Sequence, residues 1–185
     1  MQKNLKNNYK KIFKGKRVLI TGHTGFKGSW LSLWMYLLGA KVMGISKNIP
    51  TKPSHFISSG IDKLVKTKKI DIKDKKKLLK IISGFKPDFV FHLAAQAIVK
   101  KSYLNTTETW DSNLIGTINI LESLKRLNKK KETIVVLITS DKVYKNLEIK
   151  RGYKENDILG GLDPYGASKS AAEIAIKSYI KSFFS

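Results

Sequence analysis

The stretch Lys16-Arg17-Val18-Leu19-Ile20-Thr21-Gly22-His23-Thr24-Gly25-Phe26-Lys27-Gly28 decides the fold. Val18 to Ile20 form a short apolar run between basic residues and a glycine, which reads as a buried strand. Three glycines then follow at a spacing of three, Gly22, Gly25 and Gly28. After them Leu31, Trp34, Leu37 and Leu38 fall at helical spacing up to Gly39, which is placed to stop a helix. A strand, a glycine turn and a helix in that order let backbone amides and the helix dipole hold a pyrophosphate. Gly22 suits the tight turn, Gly25 lets the backbone approach phosphate, and Gly28 lets helix and strand pack closely. A purely structural turn is the other reading of a glycine trio, and the flanking strand and helix favour dinucleotide binding.

The alternation continues outward from this unit. Lys41 to Ile45 reads as a second strand, 47–60 as a loop, and Lys66 to Ile70 as a weaker strand ending at Asp71. Asp74 to Ile82 is a helix expected to bury Leu78, Leu79, Ile81 and Ile82. Phe89 to Leu93 is a near-continuous apolar strand, as a sheet covered on both faces requires. A long helix is expected from about Thr107 to Leu127, with Trp110, Leu114, Ile118, Leu121 and Leu124 on one face. A fifth apolar strand, Thr133 to Thr139, leads through the loop Asp141 to Pro164 into a last helix from Tyr165 to about Phe183. Strands alternating with helices predict an α/β fold, a Rossmann-like doubly wound parallel sheet with right-handed crossovers. Residues 1–15 read as a polar leader or short surface helix, and 16–185 as one nucleotide-binding domain.

Composition bounds the function. The 185 residues contain no cysteine, which excludes disulfide scaffolds and cysteine metal sites, and no metal site of another kind is read from the sequence. There is no apolar run of membrane-spanning length and no secretory core near the start, so a cytoplasmic protein without a membrane partner is expected. The net charge of +22 suggests a polyanion, yet only Arg17, Arg126 and Arg151 are arginines. Nucleic-acid readers lean on arginine forks, so the lysine excess reads as solvated surface and no nucleic-acid partner is expected.

Candidate chemistry lies at the carboxyl edge of the strands. Ser46-Lys47 occupies the place where an acidic residue often holds the ribose. Ser46 suits a ribose hydroxyl, while Lys47 and Lys27 suit a 2′-phosphate, leaving NAD and NADP both open. Asp71-Ile72 is placed either to meet an adenine amino group or only to end a strand. His23 lies within the phosphate turn and serves the cofactor or the turn, His92 reads as a core histidine, and Asn113 either reaches the site or bridges backbone. Tyr165-Gly166-Ala167-Ser168-Lys169 puts a phenol and an ammonium on one helix face, where the cation favours phenolate and makes Tyr165 a general base. Thr139-Ser140-Asp141-Lys142 adds a hydroxyl, an acid and an amine at the end of strand five.

These segments resemble the extended short-chain dehydrogenase/reductase superfamily from Lys16 onward. Gly15 to Leu31, His92-Leu93-Ala94-Ala95-Gln96, Thr139 to Lys142, Tyr153 to Asp157 and Gly160 to Tyr165 are similar to the nucleotide-sugar 4,6-dehydratases that act on CDP-glucose. The resemblance implies NAD-dependent conversion to a 4-keto-6-deoxy sugar for surface polysaccharide, with this chain expected to be the N-terminal part of such an enzyme; a sugar-nucleotide 4-epimerase and a catalytically silent dinucleotide-binding module are the alternative readings. It places Gly22 to Gly28, Ser46, Asp71, Ile72, Leu93, Ala94, Ala95, Tyr165 and Lys169 at the cofactor, with Gln96 and Asn113 at the substrate. It makes Tyr165 the base at the C4 hydroxyl, Ser140 a donor to the C4 oxygen, Asp141 the acid and Lys142 the base of elimination. Lys142 replaces a glutamate of the dTDP-glucose and GDP-mannose enzymes, and a crowded, poorly solvated site is expected to free its proton. The resemblance also implies a homodimer through the long helix and the last helix. Relatives are expected to be about twice as long, with a second half that completes the sheet and the sugar pocket.

Overall fold

A computed structural model describes residues 2–127 and 132–184, with side chains from residue 8 onward. β1 (Arg17–Thr21), β2 (Lys41–Ser46), β3 (Lys66–Lys69), β4 (Phe89–His92) and β5 (Ile134–Leu137) form one parallel sheet in the order β3-β2-β1-β4-β5. Strand order reverses between β1 and β4, where Thr21 lies beside His92. Such a switch point opens a crevice above the strand ends.

Helices cover both faces. α1 (Gln2–Phe13), α2 (Phe26–Leu37) and the single turn α3 (His55–Ser58) enclose Val18, Ile20, Met35, Leu38 and Phe56. α4 (Lys75–Phe85) and α7 (Gly116–Lys125) enclose Leu19, Ile45, Leu78, Ile82, Val90, Ile120 and Leu124 on the other face. Each fully buried aliphatic side chain contributes roughly 1.5–3 kcal/mol, so β1, with Val18 and Ile20 on one face and Leu19 on the other, anchors both layers. The opening stretch is thus the surface-helix alternative, and it docks: Phe13 meets Phe89 at 4.8 Å between ring centroids.

Three expectations change. Helix α4 starts at its Asp74 cap as read but runs on to Phe85, and only Leu78 and Ile82 of its apolar set are buried. The long helix comprises α6 (Thr106–Trp110), a π turn at Asp111–Ile115 and α7, following the short α5 (Val99–Leu104). The wide π turn rotates the faces, so the buried line runs through Thr109, Asn113, Thr117, Ile120 and Leu124, while Trp110, Leu114 and Ile118 are half-buried. β5 is covered on one face only. Val135 and Leu137 pack against the second core, whereas Ile134 and Val136 are exposed because the α1 and α2 layer reaches no further than β4. At the opposite edge β3 is Lys-Thr-Lys-Lys and fully exposed, a charged edge of the kind that resists strand addition. α8 (Pro164–Tyr179) closes the described chain with a π turn at Ile180–Phe184.

Candidate active site

The glycine turn is held by close backbone approach. Gly22 has φ +72°, and a Cβ there would lie 2.7 Å from the Ala94 nitrogen; a Cβ on Gly28 would lie 2.2 Å from the Gly22 oxygen. Gly25 caps α2 in an extended conformation with no side-chain acceptor, so the amides of the first helical turn face the crevice uncapped. These features fit a pyrophosphate: backbone donors, a helix dipole and no side chain in the way. Lys27 is exposed on that first turn.

His23 is turned inward. Its Nδ1 meets the Ser46 hydroxyl at 2.9 Å, its Nε2 meets the Thr67 hydroxyl at 3.0 Å, and its ring stands edge-on to Phe56. The ring fills the place of a side chain at Gly44, where a Cβ would lie 2.1 Å away. Burial holds its pKa below the usual histidine value. The His23 side chain thus braces the turn from inside. Ser46 is also engaged internally, since its hydroxyl meets His23 and accepts from the Thr24 amide at 3.4 Å.

His92 is the core histidine expected. The Thr117 hydroxyl gives its proton to the Asn113 carbonyl and so accepts from Nε2, which leaves Nδ1 to accept from Thr21 at 2.7 Å. Burial first, and the Lys169 charge second, push its pKa down to about 3. Thr21 in turn accepts from the Ala94 amide at 3.2 Å, fixing the Leu93-Ala94-Ala95 exit above β1. Asn113 bridges: it accepts from the Gln96 amide, and donates to the Gln96 carbonyl and to Ser168 on α8. It is fully buried, so it positions the loop and does not itself open onto the crevice. The Gln96 side chain folds back on Thr109 and Ile98. Ile72 buries its side chain in the second core and gives its carbonyl to Asn119, leaving Asp71 as the half-buried member of that pair, beside Lys47.

On the other side of the switch point, a 3-10 turn at Asp141–Val143 follows β5, capped by the Ser140 hydroxyl on the Lys142 amide. Ser170 of α8 donates to the Val143 carbonyl at 2.7 Å and accepts from the Gly161 amide at 3.0 Å. Gly166 lies so near the turn that a Cβ would meet the Lys142 oxygen at 3.0 Å. Asp163 caps α8 by accepting from the Tyr165 and Gly166 amides, with Pro164 entering the first turn. Ser140, Asp141 and Lys142 are thereby locked beside the helix that carries Tyr165 and Lys169.

Lys169 is buried, donates to the Ile138 carbonyl at 3.1 Å, and has its pKa lowered to about 8 by burial, with Glu173 opposing the shift. Glu173 itself accepts from the Thr139 hydroxyl. Lys142, in contrast, is exposed, so the expected poor solvation does not hold for it in this chain. A lysine pKa depressed on folding destabilises the fold while charged. Between pH 8 and 10.5 the folded protein gives up this proton and the unfolded chain keeps it, so stability rises across that window. The rise amounts to of order 3 kcal/mol from this group. Urea titrations at the two ends of the window should show it in the wild type and not in Lys169→Met.

Sequence reading missed Glu173 and Glu108. Glu173 sits one turn beyond Lys169, a spacing that signals a shared face. Glu108 lies 61 residues from its partner Lys47, a separation that carries no local signal.

A doubly wound sheet, a glycine turn at its first crossover and a tyrosine-lysine helix beside its switch point define a dinucleotide-binding α/β domain of the dehydrogenase/reductase type. The chain belongs to the GDP-mannose 4,6-dehydratase family, whose model matches residues 19–184. It is 47% identical over 175 residues to the CDP-glucose 4,6-dehydratase of Salmonella typhimurium, covering 95% of this chain and 48% of that protein. Among solved structures it is similar to a Thermus thermophilus UDP-glucose 4-epimerase in complex with NAD, at TM-score 0.77 and 28% identity over 91% of this chain and 52% of that one. An epimerase of Methanothermobacter thermautotrophicus shares the fold at TM-score 0.82, over 97% of this chain and 52% of that one. The chain spans about half the length of the curated relatives it matches.

Proposed function

We propose that the protein acts in the 4,6-dehydration of a nucleotide-activated glucose, CDP-glucose, with NAD as its dinucleotide. The observation that carries this reading is the attachment of the Ser140-Asp141-Lys142 turn to the Tyr165 and Lys169 helix, beside a glycine turn built for pyrophosphate. The similarity to a CDP-glucose 4,6-dehydratase supports the choice of sugar nucleotide.

The amides of 22–28 and the start of α2 hold the pyrophosphate, Asp71 faces the adenine, and Lys169 holds the nicotinamide ribose. NAD, when bound there, would supply a hydride acceptor for C4 and a hydride donor for C6. Tyr165 takes the C4 hydroxyl proton, and Lys169, still largely charged at neutral pH, favours its phenolate. Ser140 donates to the C4 oxygen. The C4 ketone acidifies the C5 proton, which Lys142 removes while Asp141 protonates the departing C6 hydroxyl. Since solvent reaches Lys142 in this chain, the bound sugar supplies its cover.

A 4-epimerase is the competing reading, favoured by the likeness to UDP-glucose 4-epimerases, but it has no use for the Asp141 and Lys142 pair. Incubation of the protein with CDP-glucose and NAD should yield a 4-keto sugar that absorbs in alkali; a C4 epimer without that chromophore would decide for the competitor. We also propose a homodimer through α7 and α8. Leu121 and Leu124 are buried within the chain and are not available to it, whereas Ile115, on the π turn before α7, and Ile174, on α8, are exposed. Light scattering should return twice the chain mass of 20.9 kDa.

A further inference from the structure

Four charged side chains meet at the carboxyl ends of β2 and β3. Lys47 Nζ lies 3.1 Å from Asp71 Oδ2 and 3.2 Å from Glu108 Oε1. Lys73 Nζ pairs with Glu108 Oε2 and lies 3.9 Å from Asp71 Oδ2. Asp71 also accepts from the Lys73 amide, and Ser112 donates to Glu108. Two lysines and two carboxylates sum to no net charge, in a chain whose lysines elsewhere are mostly exposed. The pairing also shows in proton affinity: hydrogen bonds to Asp71 and then Glu108 raise Lys47, and the Lys73 hydrogen bond lowers Glu108.

The position of this quartet matters because Ser46, at the end of β2, is committed to His23 and Thr24. The acidic group that many such sheets carry at that point is missing from β2. Asp71 from the end of β3 and Glu108 from α6 bring carboxylates to the same corner from other elements. Lys47, the residue best placed to receive a 2′-phosphate, is held by both.

We propose that the Lys47-Asp71-Glu108-Lys73 quartet sets the dinucleotide preference, excluding a 2′-phosphate by keeping Lys47 neutralised while leaving acceptors for free ribose hydroxyls. The inference rests on the dinucleotide-binding reading above. A 2′-phosphate arriving at this corner meets two carboxylates and must draw Lys47 away from both. With Lys47 already paired, the wrong ligand must break those ion pairs to gain a cation, a cost the right ligand does not meet.

Calorimetric titration of the purified protein with NAD and with NADP tests it without reference to turnover. The wild type should bind NAD at least about tenfold more tightly than NADP. Glu108→Gln should strengthen NADP binding by about fivefold while NAD changes by less than about threefold. Lys47→Met should leave the NADP affinity of the wild type nearly unchanged, yet erase the gain when added to Glu108→Gln. Equal affinity for the two dinucleotides in the wild type, an unchanged ratio in Glu108→Gln, or a gain that survives loss of Lys47 overturns the proposal. Binding of neither dinucleotide overturns the nucleotide site itself and the quartet's role with it, an outcome distinct from equal binding.

Discussion

Tyr165→Phe should lower the rate of the proposed CDP-glucose dehydration by roughly a hundred- to ten-thousandfold, the range expected when a positioned proton acceptor is lost. The phenol stands on the first turn of α8, a turn fixed by the Asp163 cap and by Pro164, so its ring should stay in place when the hydroxyl is removed. The proton of the C4 hydroxyl then has no acceptor, and reduced dinucleotide should not accumulate in a single turnover. Lys142→Ala should behave differently. It leaves C4 oxidation intact and slows elimination, so reduced dinucleotide should build up and persist, visible by its near-ultraviolet absorbance. Single-turnover spectroscopy of the two variants separates the roles, and the same trace in both would contradict the assignment of acid-base work to the turn after β5.

Gly28→Ala should lose about 3 kcal/mol or more of stability, together with more than about tenfold of dinucleotide affinity. Its Cβ would stand 2.2 Å from the Gly22 oxygen and 2.8 Å from the His23 Cα, both backbone atoms that no rotamer change can move. Relief requires α2 to retreat from the turn, which carries the uncapped amides away from the phosphate position. Gly84→Ala is the control. Gly84 lies in α4 with nothing within 4 Å of its would-be Cβ, and alanine there should add about 0.5–1 kcal/mol by its helix propensity. Chemical denaturation of both variants checks the contrast.

The first unit was legible because its signals are local and mutually consistent. Val18 to Ile20 must be a buried strand, and the glycines after them have φ or packing demands that other residues fail, as Gly22 and Gly28 show. Tyr165 and Lys169 were legible for the same reason, four residues apart on one helix. The face of the long helix was misjudged because a π turn at Asp111–Ile115 breaks the 3.6-residue count, and neither composition nor spacing announces it. Strand β5 looked suited to burial on both faces, but cover is a property of neighbouring layers, and only one layer reaches it. The sequence allows two roles each for Asn113 and His23, and the contacts that hold their side chains come from residues distant in sequence: Ser168 and Gln96 for the first, Thr67 and Phe56 for the second. Glu108 shows the limit most plainly, since its partners Lys47 and Lys73 come from separate crossovers.

The most direct test of the central claim follows one hydrogen. CDP-glucose labelled with deuterium at C4 should give a 4-keto-6-deoxy product with that deuterium at C6 and a solvent hydrogen at C5, read by NMR of the product. Return of the deuterium to C4 with inverted configuration, or its loss to solvent, would contradict an oxidation, elimination and reduction carried through Tyr165, Asp141 and Lys142.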